Sequence, residues 1–402
     1  MRYLSIILLV IICQSGTDVS GQAGPGYFTV AASYIDRSMY ARAIEIYTGA
    51  MEKNDDHRLF TARGKAFLLR GDIDAAVNDF SYANMLKPGS GYLGLAKAYA
   101  LAGNKPEAIE NLKYHLQSDY RLPRKNIMLD TCFRSLEDTP GWRELWKTPW
   151  YSRIEEAVAE AEYYINTGKT EEAGKVLSEI EYIYSDRAET NYLKGLVAAA
   201  NNNTSLAREQ LRRAIEKDGS DYSFWNLYIE QLIADNDYLA AANACSAALE
   251  YFPEKTALIL KKSENLYRAG DPGPAMEETE RYLELYPGDE EAVRLAGTVA
   301  AENGEYNKSL SYFSKNIDNY PGNPECFTDR AAVYLKIRSW DAAVYDYSMA
   351  LDLWPRNGDA YYNKGIALIN SGNTEKACHD FRMALKYGNS KAASMLSKHC
   401  IR

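Results

Sequence analysis

The chain has 402 residues, 46% hydrophobic and 25% charged, with a net charge of −9. That balance is ordinary for a folded protein with room for a sizeable core, which argues against a small disulfide framework. No long run of Lys and Arg is present, so a nucleic-acid footprint is excluded, and the acidic sign bears on solubility rather than on fold.

Met1-Arg2 is a short basic start, and Leu4–Ile12 is apolar apart from Ser5. This order predicts a signal peptide over residues 1–21, since the apolar run is far short of the roughly 20 residues a membrane-spanning helix needs. Val19 and Gly21 suit the small-residue positions of a cut after Gly21, leaving a mature start near Gln22. Alternatively, Val10-Ile11-Ile12-Cys13 resembles a bacterial lipobox, although Ile12 is bulkier than the small residue expected there. In that case Cys13 carries lipid and the membrane becomes a partner. Both readings export the protein, as a periplasmic or secreted form or as a membrane-anchored lipoprotein, and fit a Gram-negative envelope.

Residues 27–120 form a first block of three helical pairs with small anchors at Ala43, Ala76 and Ala108. Arg70-Gly71-Asp72 and Gly103-Asn104 mark turns, because Gly and Asn suit the left-handed end of a helix. Gly89-Ser90-Gly91-Tyr92-Leu93-Gly94 satisfies a dinucleotide-site pattern. It follows a helix end, FSYANMLKP, rather than the strand that chemistry requires, so it reads as a turn and no cofactor is expected.

Residues 121–150 interrupt the array with Pro123, Pro140 and Pro149 and with Trp142, Trp146 and Trp150. Trp142 and Trp146 share a face if GWRELWK is helical, and Pro149 stops that helix. The segment is a degenerate repeat whose rings wedge two blocks together, or else a hinge with an aromatic dock.

Seven helical pairs fill residues 151–389, with polar or Gly-bearing turns except at Ile337-Arg338-Ser339. Residues 390–402 carry an apolar stripe of Ala392, Met395, Leu396 and Cys400, read as a closing helix over the last pair.

The main block keeps one period. Ala173, Ala207, Ala241, Ala275, Ser309, Ala343 and Ala377 stand 34 apart without insertion, as do Pro253, Pro287, Pro321 and Pro355. Gly195, Gly297 and Gly365 precede their anchors by 12 residues. A small residue on each helix permits close approach, and proline ends the second helix. A 34-residue period is that of the tetratricopeptide repeat. The chain resembles that family over residues 27–390. The resemblance implies an all-α solenoid of about ten repeats and a protein or peptide partner held on the inner face of the first helices. It places in that groove Asn226, Glu230, Lys261, Glu264, Arg294, Thr298, Thr328, Asp329, Tyr362 and Asn363. One branch of the family clamps a peptide carboxylate with two Lys, two Asn and an Arg. Only Asn363 fits that set, so chaperone-tail binding is not implied.

No catalytic motif is present, and no enzyme activity is expected. Cys132, Cys245, Cys326, Cys378 and Cys400 form no C-x-x-C pair, and Cys245 and Cys378 read as buried small residues. Cys378-His379 and His399-Cys400 are adjacent pairs that diverge on a helix, so no metal site is expected. Much of the surplus of 32 tyrosines reads as packing, with Tyr34, Tyr99, Tyr334 and Tyr347 at core positions. The expected function is a non-enzymatic scaffold. The alternatives are a glycan or cell-wall binding subunit using the aromatics, and a regulatory subunit of an exported enzyme.

Overall fold

The computed structural model describes residues 26–52 and 54–400; the leader, its cleavage site and Cys13 lie outside them. Every described element is a helix. The first block is α1 (Tyr27–Asp36) with α2 (Tyr40–Met51), α3 (His57–Arg70) with α4 (Ile73–Leu86), and α5 (Tyr92–Leu101) with α6 (Lys105–Gln117). The interruption holds α7 (Arg124–Met128), a 3-10 turn (Thr131–Leu136) and α8 (Pro140–Leu145). The main block pairs α9 (Arg153–Asn166) with α10 (Thr170–Glu181), α11 (Ala188–Ala200) with α12 (Thr204–Lys217), and α13 (Tyr222–Ala234) with α14 (Tyr238–Tyr251). It continues with α15 (Ala257–Arg268) and α16 (Pro272–Leu285), α17 (Glu290–Glu302) and α18 (Tyr306–Asn319), α19 (Pro324–Lys336) and α20 (Trp340–Leu353), and α21 (Gly358–Asn370) and α22 (Thr374–Lys386); α23 (Ala392–His399) closes the chain.

The anchors explain the stacking. All ten, from Ala43 to Ala377, are fully buried, and the hydroxyl of Ser309 donates to the Gly297 carbonyl at 2.7 Å. A Cβ on Gly297 would come within 2.7 Å of the Phe313 ring, so the glycine is what lets the two helices meet. Gly94 lies just as close to Phe80, and that is the packing role of the glycine run at 89–94. Each period-34 proline sits one residue past a C-cap, as Pro253 does after Phe252. Turns without glycine put another residue in the left-handed region: Asn202, Asn236 and Arg338 have φ of 58°, 58° and 61°.

A second period runs through the units. Arg63 meets Asp79 through two bonds of 2.8 and 2.7 Å, and Arg330 meets Asp346 through 2.7 and 2.8 Å. Lys262–Glu278 and Lys364–Asp380 repeat the pair at the same register, at 2.6 and 3.3 Å. Both arginines also donate to a hydroxyl of the preceding unit, Thr48 and Ser314 respectively, each at 3.0 Å.

The interruption is a packed wedge. Trp142 is 5% exposed among Leu112, Leu116, Phe133 and Leu136, with Trp146 edge-on to it at 5.6 Å. The Trp150 indole donates to the Leu145 carbonyl at 2.7 Å. The helix here ends at Leu145, four residues before Pro149, so the proline is not what stops it. His115 is buried and accepts from the Leu122 amide at 3.1 Å. Burial, with Lys97 and Arg121 nearby, pushes its pKa down to about 4, so it is neutral. Arg121 bonds Glu155 at 2.7 Å, and the Tyr151 hydroxyl donates to the Leu122 carbonyl at 2.8 Å, tying the wedge to the main block.

Cys378 is not simply a buried thiol: it forms a disulfide with Cys400. The two cysteines meet because α23 folds back along α22. Ala392, Met395 and Leu396 join the cluster of Leu368 and Phe381.

The array also closes on itself. The buried hydroxyl of Thr29 in α1 donates to the Pro253 carbonyl, 224 residues on, at 2.8 Å. The Tyr286 hydroxyl donates to Asp36 at 2.5 Å and lies 2.7 Å from the Thr256 hydroxyl. Val30 packs against Ile259, Leu260, Tyr282 and Leu285. The first repeat therefore meets the junction of the sixth and seventh.

Candidate functional site

First helices touch one another along the array, as α9 and α11, α11 and α13, α15 and α17, α17 and α19, and α19 and α21 do, whereas successive second helices are not in comparable contact. The first helices thus form the inner, tighter layer of the curve. The ten residues named from the sequence fall in pairs on α13, α15, α17, α19 and α21.

Side chains link most of these into a strip. The Asn226 amide donates to Glu230 at 2.8 Å. Glu264 is half-buried, and burial followed by the Glu291 carboxylate of the next first helix raises its pKa. The Asp329 carboxyl is pushed up to about 6 by burial, with the Arg294 guanidinium opposing and Glu325 adding to the rise. One oxygen of Asp329, Oδ2, is buried without a hydrogen-bond partner. Beyond it lies Tyr347, whose hydroxyl is raised mainly by burial and then by Asp329, with Asn363 opposing. The Tyr362 ring lies 5.9 Å from Phe381 and packs against the core of the last unit.

Two of the ten turn inward on their own helices. The Thr298 hydroxyl donates to the Arg294 carbonyl and the Thr328 hydroxyl to the Glu325 carbonyl, both at 2.9 Å. Sequence reasoning missed Glu291 and Glu325, which join the strip from the first turns of α17 and α19. It also missed Glu162, which accepts from the Tyr192 hydroxyl at 3.0 Å and pairs with Lys125 of the interruption. A count of acidic residues near the N-termini of first helices would have flagged the first two. Glu162 became visible only when the wedge was placed. The strip thus carries Glu230, Glu264, Glu291, Glu325 and Asp329 against Lys261 and Arg294.

No described helix is long and apolar enough to cross a membrane. No three His, Cys, Asp or Glu side chains among the described residues come together as a metal cluster.

A family model described as tetratricopeptide repeat matches residues 192–257 and 328–392. No curated protein matches. Among solved structures, a tetratricopeptide repeat protein from Parabacteroides merdae is similar at 16% identity and a TM-score of 0.46, over 61% of this chain and 98% of that one. YrrB, titled a TPR protein with an unusual peptide-binding site, is 19% identical with a TM-score of 0.39, over 48% of this chain and 100% of that one. A chain of the Cut9–Hcn1 assembly is 14% identical with a TM-score of 0.41, over 93% of this chain and 90% of that one.

Proposed function

The chain belongs to the tetratricopeptide repeat family, and from that premise we propose that it is a non-enzymatic scaffold holding a cationic segment of a partner protein against its inner face. The observation that carries this reading is the acid-rich strip from Glu230 to Asn363, with the Asp329 Oδ2 buried and lacking a donor. Glu230, Glu291 and Glu325 are exposed along this strip, and a lysine or arginine from a bound segment would pair with them. The inner face is long enough for several such contacts, and complementary charge would favour fast association and partner choice.

We further propose that the scaffold works outside the cytoplasm. The leader over residues 1–21 supports this, and so does the Cys378–Cys400 disulfide, since such bonds persist in oxidising compartments. Intact-mass analysis of the native protein tests it. An unmodified start near Gln22 supports a free exported form, a lipid mass on Cys13 supports a tethered one, and a retained Met1 leader would sink both.

The groove is tested with two labelled nonapeptides, one alternating Lys and Ala, the other Glu and Ala. The lysine peptide is expected to bind more tightly and to weaken with salt. Asp329 is ionised only above about 6, so its attraction for the lysine peptide grows as pH rises through that value. Between pH 7.5 and 5.5 affinity should fall about threefold or more, since each tenfold change is about 1.4 kcal/mol. Asp329→Asn should flatten the profile. Equal binding of the two peptides, or none, overturns the reading.

A further inference from the structure

The inner face of the first repeat is met by another part of the same chain, beside the open inner face of the second. Phe28, Thr29 and Ala32 of α1 and Ala62 and Lys65 of α3 stand at the same distances before their anchors, Ala43 and Ala76, as the groove residues do in the later repeats. They are the inner-face positions of repeats one and two. Across the first of these repeats lies the non-helical connection between α14 and α15, whose Pro253 carbonyl accepts from Thr29. Thr256, 5% exposed, reaches the same junction through the Tyr286 hydroxyl and Asp36.

This closure is loosely made. A cleft of about 450 Å³, open to solvent, lies beside it, lined by Phe28, Ala32, Ala62 and Lys65 on one side and by Glu254 and Lys255 on the other. A small, partly polar contact with unfilled space is the character of a transient interface within a chain. The rest of the array is packed through fully buried anchors.

We propose that the inner face of repeats one and two is a second binding surface, and that the connection Tyr251–Leu258, YFPEKTAL, is its internal ligand. A partner segment like its Pro253–Ala257 portion, with a proline followed by an acidic residue, displaces that connection and opens the ring. The cleft beside Lys65 gives such a segment space to enter before the internal contacts let go. This rests on the reading of the inner face as a peptide groove, but it concerns a different stretch and a different charge preference.

The test uses the full chain and labelled YFPEKTAL peptide. Tyr286→Glu sets a carboxylate against Asp36 and leaves every inner-face residue of the first block unchanged. It should enlarge the radius of gyration in X-ray scattering and strengthen peptide binding about tenfold over the unaltered chain. Tyr286→Phe keeps the ring, which stacks on Tyr282 at 4.8 Å, and removes the hydroxyl. It should shift binding the same way, by about threefold, should the charged variant fail to fold. Bound peptide should slow amide exchange in α1 and α3. An opened ring with no gain in binding overturns the second surface, and an unchanged radius with unchanged binding in both variants overturns the displaceable closure. The alternating Lys–Ala peptide is titrated in parallel. If it still binds while YFPEKTAL does not, this inference has failed alone; if neither binds, the groove reading has failed with it.

Discussion

Asp346 is a carboxylate with a side chain 1% exposed, held by the Arg330 guanidinium through two bonds. Removing it leaves a half-buried cation without a counter-charge, holding only the Ser314 hydroxyl, and such a loss costs about 3–5 kcal/mol. Asp346→Ala should therefore lower stability to urea by about 3 kcal/mol, while Arg330→Met with Asp346→Leu should recover most of the loss. Equal losses in the single and double variants would show that the pair is not the cause. The pair was in principle legible, since Arg63 and Asp79 repeat its 16-residue spacing. It was passed over because a charge-rich helix face ordinarily reads as solvated, and sequence does not display burial. Asp329 was legible as a position on a first helix but not as a carboxyl raised to about 6, for the same reason. Its buried charge also costs stability, by an amount that grows as pH rises from the ordinary carboxylate range through about 6.

At the scale of elements, the helices and their turns followed from the repeat. Small anchors, prolines after second helices and left-handed turn residues each act within one unit, so local chemistry is enough to place them. The closing helix α23 is different. It is eight residues long, too short to persist without tertiary support. Only Ala392 along it is buried, so the Cys378–Cys400 bond is what joins its far end to α22. A bond closing a loop of 22 residues contributes up to about 3 kcal/mol through the unfolded chain. Cys400→Ser, or reduction of the unaltered chain, should raise amide exchange across α23 and the end of α22 and leave the first block unchanged. Protection in α23 that does not change on reduction would contradict this role. The bond was not read from the sequence because 22 residues separate the cysteines, and helix geometry alone does not say that the chain turns back.

At the scale of the whole molecule, a period fixes what each unit repeats but not how far each turns against the next. That rotation depends on the sizes of the side chains between units and on the wedge at Trp142, Trp146 and Trp150, and it accumulates along the array. It brings α1 to α16 and so sets Thr29 beside Pro253. The amino-acid sequence by itself determined the all-helical class, the ten anchors, the turns and the five first helices that bear the ten residues it singled out, because all of these are local or recur at fixed spacing. The tertiary structure alone decided which charges are buried, which cysteines meet, and that the first repeat meets the chain's own connection between α14 and α15. Those outcomes depend on residues far apart in sequence, and their proximity is set by rotations summed over many units rather than by any one of them.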